Sequence, residues 1–420
     1  MKVLVLGSGG REHALVWKLK QSESLRQIFC IPGNAGIADS AQTYQIALQD
    51  FKKISDFIIE KQINLTIVGP EQPLVEGIVD YLQSLKLAVF GPTKVAAQLE
   101  GSKVFAKNFM KKYRIPTARF EKFSEYEKAL KFLKKYKDSR VVIKADGLAA
   151  GKGSIVCQNI AAAQTAIKEI MYDRIFAEAG DQVVVEEFME GEEASLFVIT
   201  DGKDYVVLSP AQDFKRALDG DLGKNTGGMG SYAPTPVLSQ KLQDRAIKEV
   251  VEPVLAGLQS EGIEYRGVLY CGLMLTLDGP KVVEFNCRFG DPETQVVLPL
   301  LQSDLLGICQ ATSQQTLGNI KLKLAAQRAV CVVAASGGYP DAYEKGKVIS
   351  GLDQLDPEIM VFHAGTVRQG SQYLTNGGRV LGVAAAAGDL RQALEAVYWN
   401  MRRIHFAGIY YRTDIAKRAI

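Results

Sequence analysis

The sequence predicts an α/β (α+β) protein of roughly three domains that opens on a parallel sheet covered by helices on both faces. Three observations carry this reading. Short apolar runs alternate with helical periodicity over the first hundred residues, each run ends in a glycine-rich turn, and 420 residues exceed what one core accommodates. The strands fall at 3–6, 28–31, 66–68 and 88–90, with helices at 12–21, 51–61 and 75–85 between them. The turns are GSGGRE at 7–12, PGNAG at 32–36, GPEQP at 69–73 and GPTK at 91–94. Ligands of open α/β sheets sit at the carboxyl ends of the strands, where these turns lie. The first turn starts like a dinucleotide fingerprint, but Glu12 fills the third glycine position, and no acidic residue follows the second strand to hold a ribose hydroxyl. Backbone N–H groups at Gly9 and Gly10, helped by Arg11, suit a phosphate at a helix N-terminus instead. His13 reads as part of an exposed first helical turn.

Composition narrows the function classes. Apolar residues at 47% and charged residues at 23% describe an ordinary globular protein, and a net charge of +3 gives no warrant for a nucleic-acid surface. The lysines of 128–137 alternate with Leu130, Phe132 and Leu133 at helical spacing and read as a solvated helix face. Six scattered cysteines without a C-x-x-C pair suggest neither zinc site nor disulfide framework, which suits a reducing cytosol. The N-terminus begins a strand rather than a signal peptide, and no apolar stretch approaches the ~20 residues that span a bilayer. With only three histidines, chemistry built on several of them is disfavoured.

A second region opens near Ser102, where SKVFAKNFMKKYRIPTARF has the spacing of an amphipathic helix that stops before Pro116. A strand at 141–144 then enters ADGLAAGKGS at 145–154. There Gly147, Gly151, Lys152 and Gly153 make a loop able to fold over a triphosphate, with Lys144 closing the strand. It is not a Walker A loop, because Gly153 stands where Ser or Thr would follow Lys152. VVVEEFMEGEEAS at 183–195 runs from a buried strand into acidic residues, placing backbone groups of Glu186 to Phe188 to read an adenine edge and Glu193 to accept from ribose hydroxyls. Residues 209–234 hold Asp213, Lys215, Arg216 and Asp221 without helical or strand periodicity, so a substrate-facing loop is expected. Phe214, Met229 and Tyr232 argue against disorder there.

The densest chemistry is EFNCRFGDPE at 284–293. Val282 and Val283 begin a strand whose period of two puts Glu284, Asn286 and Arg288 on one face. A carboxylate and an amide oxygen in that register suit Mg²⁺, and the guanidinium beside them can fork onto an acyl phosphate or carboxylate. A bare E-x-N-x-R would be a solvated edge strand. Gly290-Asp291-Pro292-Glu293 directly after it, with the phosphate-type turns upstream, favours a nucleotide–Mg²⁺ site. Beyond Arg328 come a strand at 329–335 and a hairpin signal, Asn376-Gly377-Gly378, before another at 380–386. No catalytic grouping stands out in this part, which is expected to complete the cleft walls.

In order along nearly the whole chain, GSGGREHAL, PGNAG, GPEQPL, FGPTK, LEGSKVFAK, IKADGLAAGKG, EEFMEGEEAS, QDFKR, NTGGMGSY, EFNCRFGDPETQ, NGGRVLGVAA and YYRTDIAKRA resemble the ATP-grasp ligases, and within them the phosphoribosylamine–glycine ligase family. The resemblance implies an ATP-grasp fold with an N-terminal α/β domain at 1–101, a two-lobed centre at 102–325 carrying a lid near 122–190, and a mixed-sheet domain at 326–420. It implies a cytoplasmic enzyme that uses ATP and Mg²⁺ (or Mn²⁺) to join glycine to 5-phosphoribosylamine through a glycyl phosphate in purine biosynthesis. The expected state is a monomer or weak homodimer without nucleic-acid or membrane partners.

Carried onto this chain, Lys103, Lys144, Gly147, Gly151, Lys152 and Gly153 would face the ATP phosphates, and Glu186, Glu187, Phe188 and Met189 the adenine, with Glu193 at the ribose. Glu284 and Asn286 would hold the metal, while Arg288, Asp213, Lys215 and Asp291 would hold glycine and the acyl phosphate. Gly10, Arg11 and Asn34 would take the ribose phosphate, with Asn225, Thr226 and Gly227 also at the substrate. Three departures stand out. Phe214 replaces the histidine of QDHKR, Lys224 replaces the proline of GPNTGGMG, and 267–272, where many ATP-grasp enzymes carry an acidic metal ligand, has no carboxylate. A chain ending at Ile420 is expected to be a standalone ligase. The rival readings are a carboxylate–amine ligase for another substrate pair and a nucleotide-binding protein without ligase activity.

Overall fold

Alternation within the first strand decides the N-terminal architecture. Val3 and Val5 bury on one face with Ala14, Leu15 and Leu19, while Leu4 and Leu6 bury on the other with Ile54, Phe57, Ile78 and Leu82. A strand apolar on both faces must be covered on both, which a parallel sheet with crossover helices achieves. The computed structural model describes residues 1–136, 139–149 and 153–420 and shows this sheet as five parallel strands. In spatial order they are Gln42–Thr43, Gln27–Pro32, Lys2–Gly7, Leu65–Val68 and Val89–Phe90. The helix Phe51–Lys61 matches its expected bounds, with the Asp50 carboxylate accepting from the Lys53 N–H at 3.0 Å. The helix expected at 75–85 is two, Glu71–Glu76 and Ile78–Ser84, because Gly77 at φ +101° breaks the run.

Two antiparallel sheets form the centre. The smaller has the order Phe120–Phe123, Val183–Glu187, Val141–Ala145, Ser154–Cys157, and its apolar face packs on the helices Tyr126–Leu133 and Ile160–Ile167. The larger has the order Tyr205–Val207, Glu192–Thr200, Gly267–Thr276, Gly279–Asn286, and packs on the helices Lys103–Lys112 and Glu252–Ser260. Val282 N–H donates to the Pro116 carbonyl at 2.8 Å, so the chain leaving the Lys103–Lys112 helix touches the strand that bears Glu284.

The segment 209–234 and the C-terminal part each correct an expectation. Residues 209–234 are not an unstructured loop: they contain the strands Gln212–Asp213, Arg216–Leu218, Leu222–Asn225 and Gly230–Ala233. Strands of two to four residues are too short to show a period, and two of them join a sheet with Arg328–Ala335, Arg379–Ala387 and Met360–His363. Nor does Asn376-Gly377-Gly378 turn a hairpin. Gln372–Thr375 pairs with Thr366–Gln369 in a separate three-stranded sheet, so the two glycines turn the chain from one sheet into another. Gly377 is needed there, since a Cβ at this position would lie 2.8 Å from the Gly365 Cα.

Candidate active site

A cleft of about 1050 Å³ runs between the two central sheets and is walled by the N- and C-terminal regions. A second hollow of about 750 Å³, near Met1, Arg26, Asn64 and Gln310, holds none of the expected site residues. The lining of the larger cleft brings together most of the residues read from the sequence: Arg11, Lys103, Lys144, Gly147, Gly153, Glu186 to Met189, Glu193, Asp213, Lys215, Asn225 to Gly227, Glu284, Asn286, Arg288 and Asp291. Gly10 and Asn34 stand outside it. Gly151 and Lys152 lie outside the described residues.

Most of the cleft's cations are matched by a carboxylate, while Arg216 donates to the Gly223 carbonyl at 2.9 Å. Ser102 caps the helix Lys103–Lys112 through its hydroxyl, which accepts from the Phe105 N–H at 2.9 Å and donates to Asp146 at 2.9 Å. Lys103, the first residue of that helix, reaches Glu284 at 3.1 Å. Glu284 is held well below the usual carboxylate range by Lys103, against the opposing effect of burial and with help from Lys215 and Lys144. Burial works against the charge of Lys103, but Glu284 and Glu100 outweigh it and raise the ammonium above its ordinary value. Lys144 donates to the Val283 carbonyl at 2.8 Å and lies 3.0 Å from Glu186. At the end of the strand Val183–Glu187, Glu187 accepts from Arg119, and the Arg140 guanidinium stacks 4.0 Å over the Phe188 ring. Gly147 at φ +154° lets the loop pass Ala179, where a Cβ would fall 2.6 Å from the alanine's own.

At the other end Lys215 donates to Glu193 at 2.5 Å, so Glu193 is engaged by a cation of the substrate end. Burial, with Glu293 and Glu193 nearby, raises Asp213 to about 7 in spite of Lys215. Arg288 is clamped by Glu100 at 3.0 Å and Glu71 at 3.3 Å, and donates to Asn286 Oδ1 at 3.2 Å. Glu71 falls to about 2 because Arg288 and Arg11 together overcome its burial. Asp291 is held by Arg379 at 3.0 Å and by Gln295 at 2.8 Å. The same Arg379 donates to the carbonyls of Gly227 and Asp291 at 2.7 and 2.8 Å. Where the strand Gly267–Thr276 lacks a carboxylate, the Tyr270 hydroxyl donates to Glu293 at 2.7 Å.

The first turn differs from its sequence reading. His13 is buried rather than exposed, as is its neighbour Arg11. The Gly9 N–H donates to the Glu12 carboxylate at 2.6 Å, so the helix caps itself at the group assigned to phosphate. Glu12 fits because Gly7 and Gly69 carry no Cβ; one at Gly69 would lie 2.2 Å from Glu12 Oε1. His13 Nδ1 accepts from the His363 N–H at 2.8 Å, and burial together with His363 pushes His13 down to about 3. Asn34 spends both side-chain protons on the Ser8 and His363 carbonyls, bracing this turn against the C-terminal region.

Sequence reasoning missed Lys107, Glu71, Glu100, Tyr270, Glu293 and Arg379. Glu71 carried a signal, standing in one of the four strand-end turns, and Arg379 stood in a quoted motif. The two family departures are also accounted for. Phe214 is buried outside the cleft lining, packed on Tyr232 with the Arg412 and Arg418 guanidiniums 4.9 and 4.5 Å from its ring. Lys224 pairs with Asp341 at 2.7 Å across to the C-terminal region.

Comparison with known proteins places this geometry. Residues 1–100, 101–294 and 329–418 match the N domain, the ATP-grasp (A) domain and the C domain of phosphoribosylglycinamide synthetase. The chain is 49% identical over 416 residues to the phosphoribosylamine–glycine ligase of Caldanaerobacter subterraneus subsp. tengcongensis, covering 99% of each. It is 48% identical to that of Vibrio cholerae, covering 100% of this chain and 99% of the other. The crystal structure of the phosphoribosylamine–glycine ligase of Thermotoga maritima superposes with a TM-score of 0.87 at 36% identity, over 99% of this chain and 100% of that one. The biotin carboxylase domain of Hydrogenobacter thermophilus 2-oxoglutarate carboxylase superposes at 0.75 with 16% identity, over 98% of this chain and 91% of that one, a likeness of fold alone.

Proposed function

This chain belongs to the phosphoribosylglycinamide synthetase family, and from that premise we propose how its cleft joins glycine to 5-phosphoribosylamine at the expense of ATP. It is an ADP-forming carbon–nitrogen ligase of purine biosynthesis with an ATP-grasp fold. The observation that carries the site assignment is the pairing of Lys103, Lys144, Lys215, Arg288 and Arg379 in the cleft with carboxylates. Anionic substrates meet ammonium and guanidinium groups whose charges are already paired within the protein, so no unpaired protein charge is buried before they bind.

ATP lies with its phosphates on Lys103, Lys144 and the loop at 147–153, its adenine against the backbone of Glu186 to Met189 and its ribose at Glu193. Glu284 and Asn286 are the residues that would hold Mg²⁺ or Mn²⁺. They fit such a cation: both offer hard oxygen donors from one strand face, and the surrounding lysines keep Glu284 ionised. Bound there, the metal would neutralise phosphate charge next to the reacting groups. Glycine is held by Arg288, Lys215 and Asp291 so that its carboxylate attacks the terminal phosphorus, giving glycyl phosphate and ADP. The amine of phosphoribosylamine then attacks the acyl carbon and phosphate leaves. Asp213, raised toward neutrality beside this centre, accepts the proton the amine loses. Arg11, Asn225, Thr226 and Gly227 border the phosphoribosylamine end; Gly10 and Asn34 act there by shaping the first and second turns. No helix among the described residues is long and apolar enough to cross a membrane, and the partners proposed are small molecules, acted on in the cytoplasm by a monomer or weak homodimer.

Positional isotope exchange tests the order of events. ATP labelled with ¹⁸O in the β,γ-bridge should scramble its label in the presence of glycine alone. Scrambling that required the amine as well would remove the glycyl phosphate step.

A further inference from the structure

Behind Lys144 a buried chain of polar side chains runs from the cleft-lining Glu186 to Lys107, and the reaction as described does not use it. Lys107 sits one turn into the helix Lys103–Lys112, and its ammonium donates to the Thr117 hydroxyl at 2.7 Å and pairs with Glu186 Oε2 at 3.1 Å. Thr117 in turn donates to the Val282 carbonyl at 2.7 Å. The other carboxylate oxygen, Glu186 Oε1, lies 3.0 Å from Lys144, which donates to the Val283 carbonyl at 2.8 Å. Lys107, Glu186 and Lys144 are each about 2% exposed.

Buried ionic groups are retained only where their geometry does something that an apolar core would not, since the desolvation of the charges offsets most of their attraction. Here the chain joins three elements that must hold one register for ATP to bind. Glu186 belongs to the lid strand Val183–Glu187, Lys107 belongs to the helix that begins with Lys103, and Val282 and Val283 immediately precede Glu284. The Glu186 side chain fixes Lys144 from behind through one oxygen while Lys107 fixes Glu186 through the other. Lys144 makes an ion pair with Glu186 that lacks hydrogen-bond alignment, so its remaining protons are left for an anion in the cleft.

We propose that Lys107 is a positioning residue for ATP, acting through the Glu186 carboxylate to hold the Lys144 ammonium toward the cleft and to lock the lid strand to the strand that bears Glu284. The proposal rests on the assignment of Lys144 to the nucleotide phosphates. Supporting groups that orient a ligand-contacting group change affinity by about 10–100-fold when removed. Burial first, and then Lys144 and Lys103, lower Lys107 to about 8, with Glu186 opposing them; the Thr117 hydroxyl and the Phe120 ring 5.6 Å away complete its surroundings. Loss of this proton leaves Glu186 held by Lys144 alone, so kcat/KM for ATP should fall on the alkaline side of pH 8.

The experiment measures ADP affinity by calorimetry, steady-state KM for ATP and melting temperature for wild type, Lys107→Met, Lys107→Arg and Lys144→Met. Lys107→Met should weaken ADP binding and raise KM for ATP by about 10-fold or more, change kcat much less, and lose the alkaline limb of kcat/KM. Lys107→Arg should recover part of the affinity, and so should Glu186→Gln added to Lys107→Met, which removes the carboxylate left half-paired. If Lys107→Met binds ADP as wild type does and differs only in melting temperature, Lys107 is structural and the proposal fails alone. If Lys144→Met also binds ADP as wild type does, the phosphate assignment fails and takes the proposal with it.

Discussion

Replacing Phe214 by histidine restores the residue usual in the family loop and asks whether an imidazole is needed there. The structure answers through packing. Phe214 is 2% exposed, points into the core formed by Tyr232, Val330, Val332 and Leu381, and is flanked by two guanidiniums 4.9 and 4.5 Å from its ring. Each cation–π contact of this kind contributes ~0.5–2 kcal/mol, and an imidazole placed there must also bury nitrogens without assured partners at ~1–3 kcal/mol. A loss of ~2 kcal/mol or more follows, equivalent to a fall of roughly 4–8 °C or more in the melting temperature at ~2–4 °C per kcal/mol. The two arginines and burial both disfavour an imidazolium, so the new histidine stays neutral across the physiological range and adds no titration near pH 6.5. Scanning calorimetry and a pH profile of kcat check both halves: the melting temperature should fall while kcat changes by less than about twofold, within what a spare base could contribute. A tenfold gain in kcat with a new ionisation near neutrality would refute this reasoning and show that the wild type lacks a catalytic group.

Three further outcomes follow from the same geometry. Glu284→Gln leaves Lys103 without its 3.1 Å partner and the metal without a charged ligand, so activity should fall by about 10²-fold or more while the melting temperature moves by a few degrees at most; wild-type rates at saturating Mg²⁺ would rule out the assignment. Gly147→Val forces a branched residue to φ +154° with its Cβ 2.6 Å from that of Ala179, a strain of ~1–3 kcal/mol, and should raise KM for ATP and lower kcat together; unchanged kinetics would show that the loop can move aside. Asp213 is raised in the folded state, so the folded protein binds its proton more tightly than the unfolded chain, and its contribution to stability is present below about pH 4 and lost as pH rises through about 7. Asp213→Asn should remove that decline from a pH series of melting temperatures and also the acid limb of kcat near 7; a limb that survives belongs to another group.

The parts of the fold legible in the sequence are those fixed locally. Val3 to Leu6 and Leu65, Ile67 and Val68 bury apolar side chains on both faces and end on glycine turns, and Glu284, Asn286 and Arg288 share a face because strand geometry puts them there. What stayed hidden depends on partners distant along the chain. Gln212–Asp213 is a two-residue strand that exists because Gly230–Ala233 pairs with it and with Arg328–Ala335 in turn, and no window of sequence around Asp213 contains that sheet. Arg379 meets Asp291 across 88 residues, and Lys107 looked like one more polar position on an amphipathic helix until Glu186 came to lie beside it. Glu12, read as a failed third glycine, is instead a carboxylate that caps its own helix, a role that only the space beside Gly7 and Gly69 reveals.

The central claim is that this cleft couples ATP cleavage to formation of one amide bond. Initial rates of ADP release, measured with glycine alone, 5-phosphoribosylamine alone and both together, test it most directly. Sustained turnover should require both substrates and yield one glycinamide ribonucleotide per ADP. Sustained ADP release with either substrate alone, or with a different carboxylic acid and amine while this pair is idle, would contradict the account.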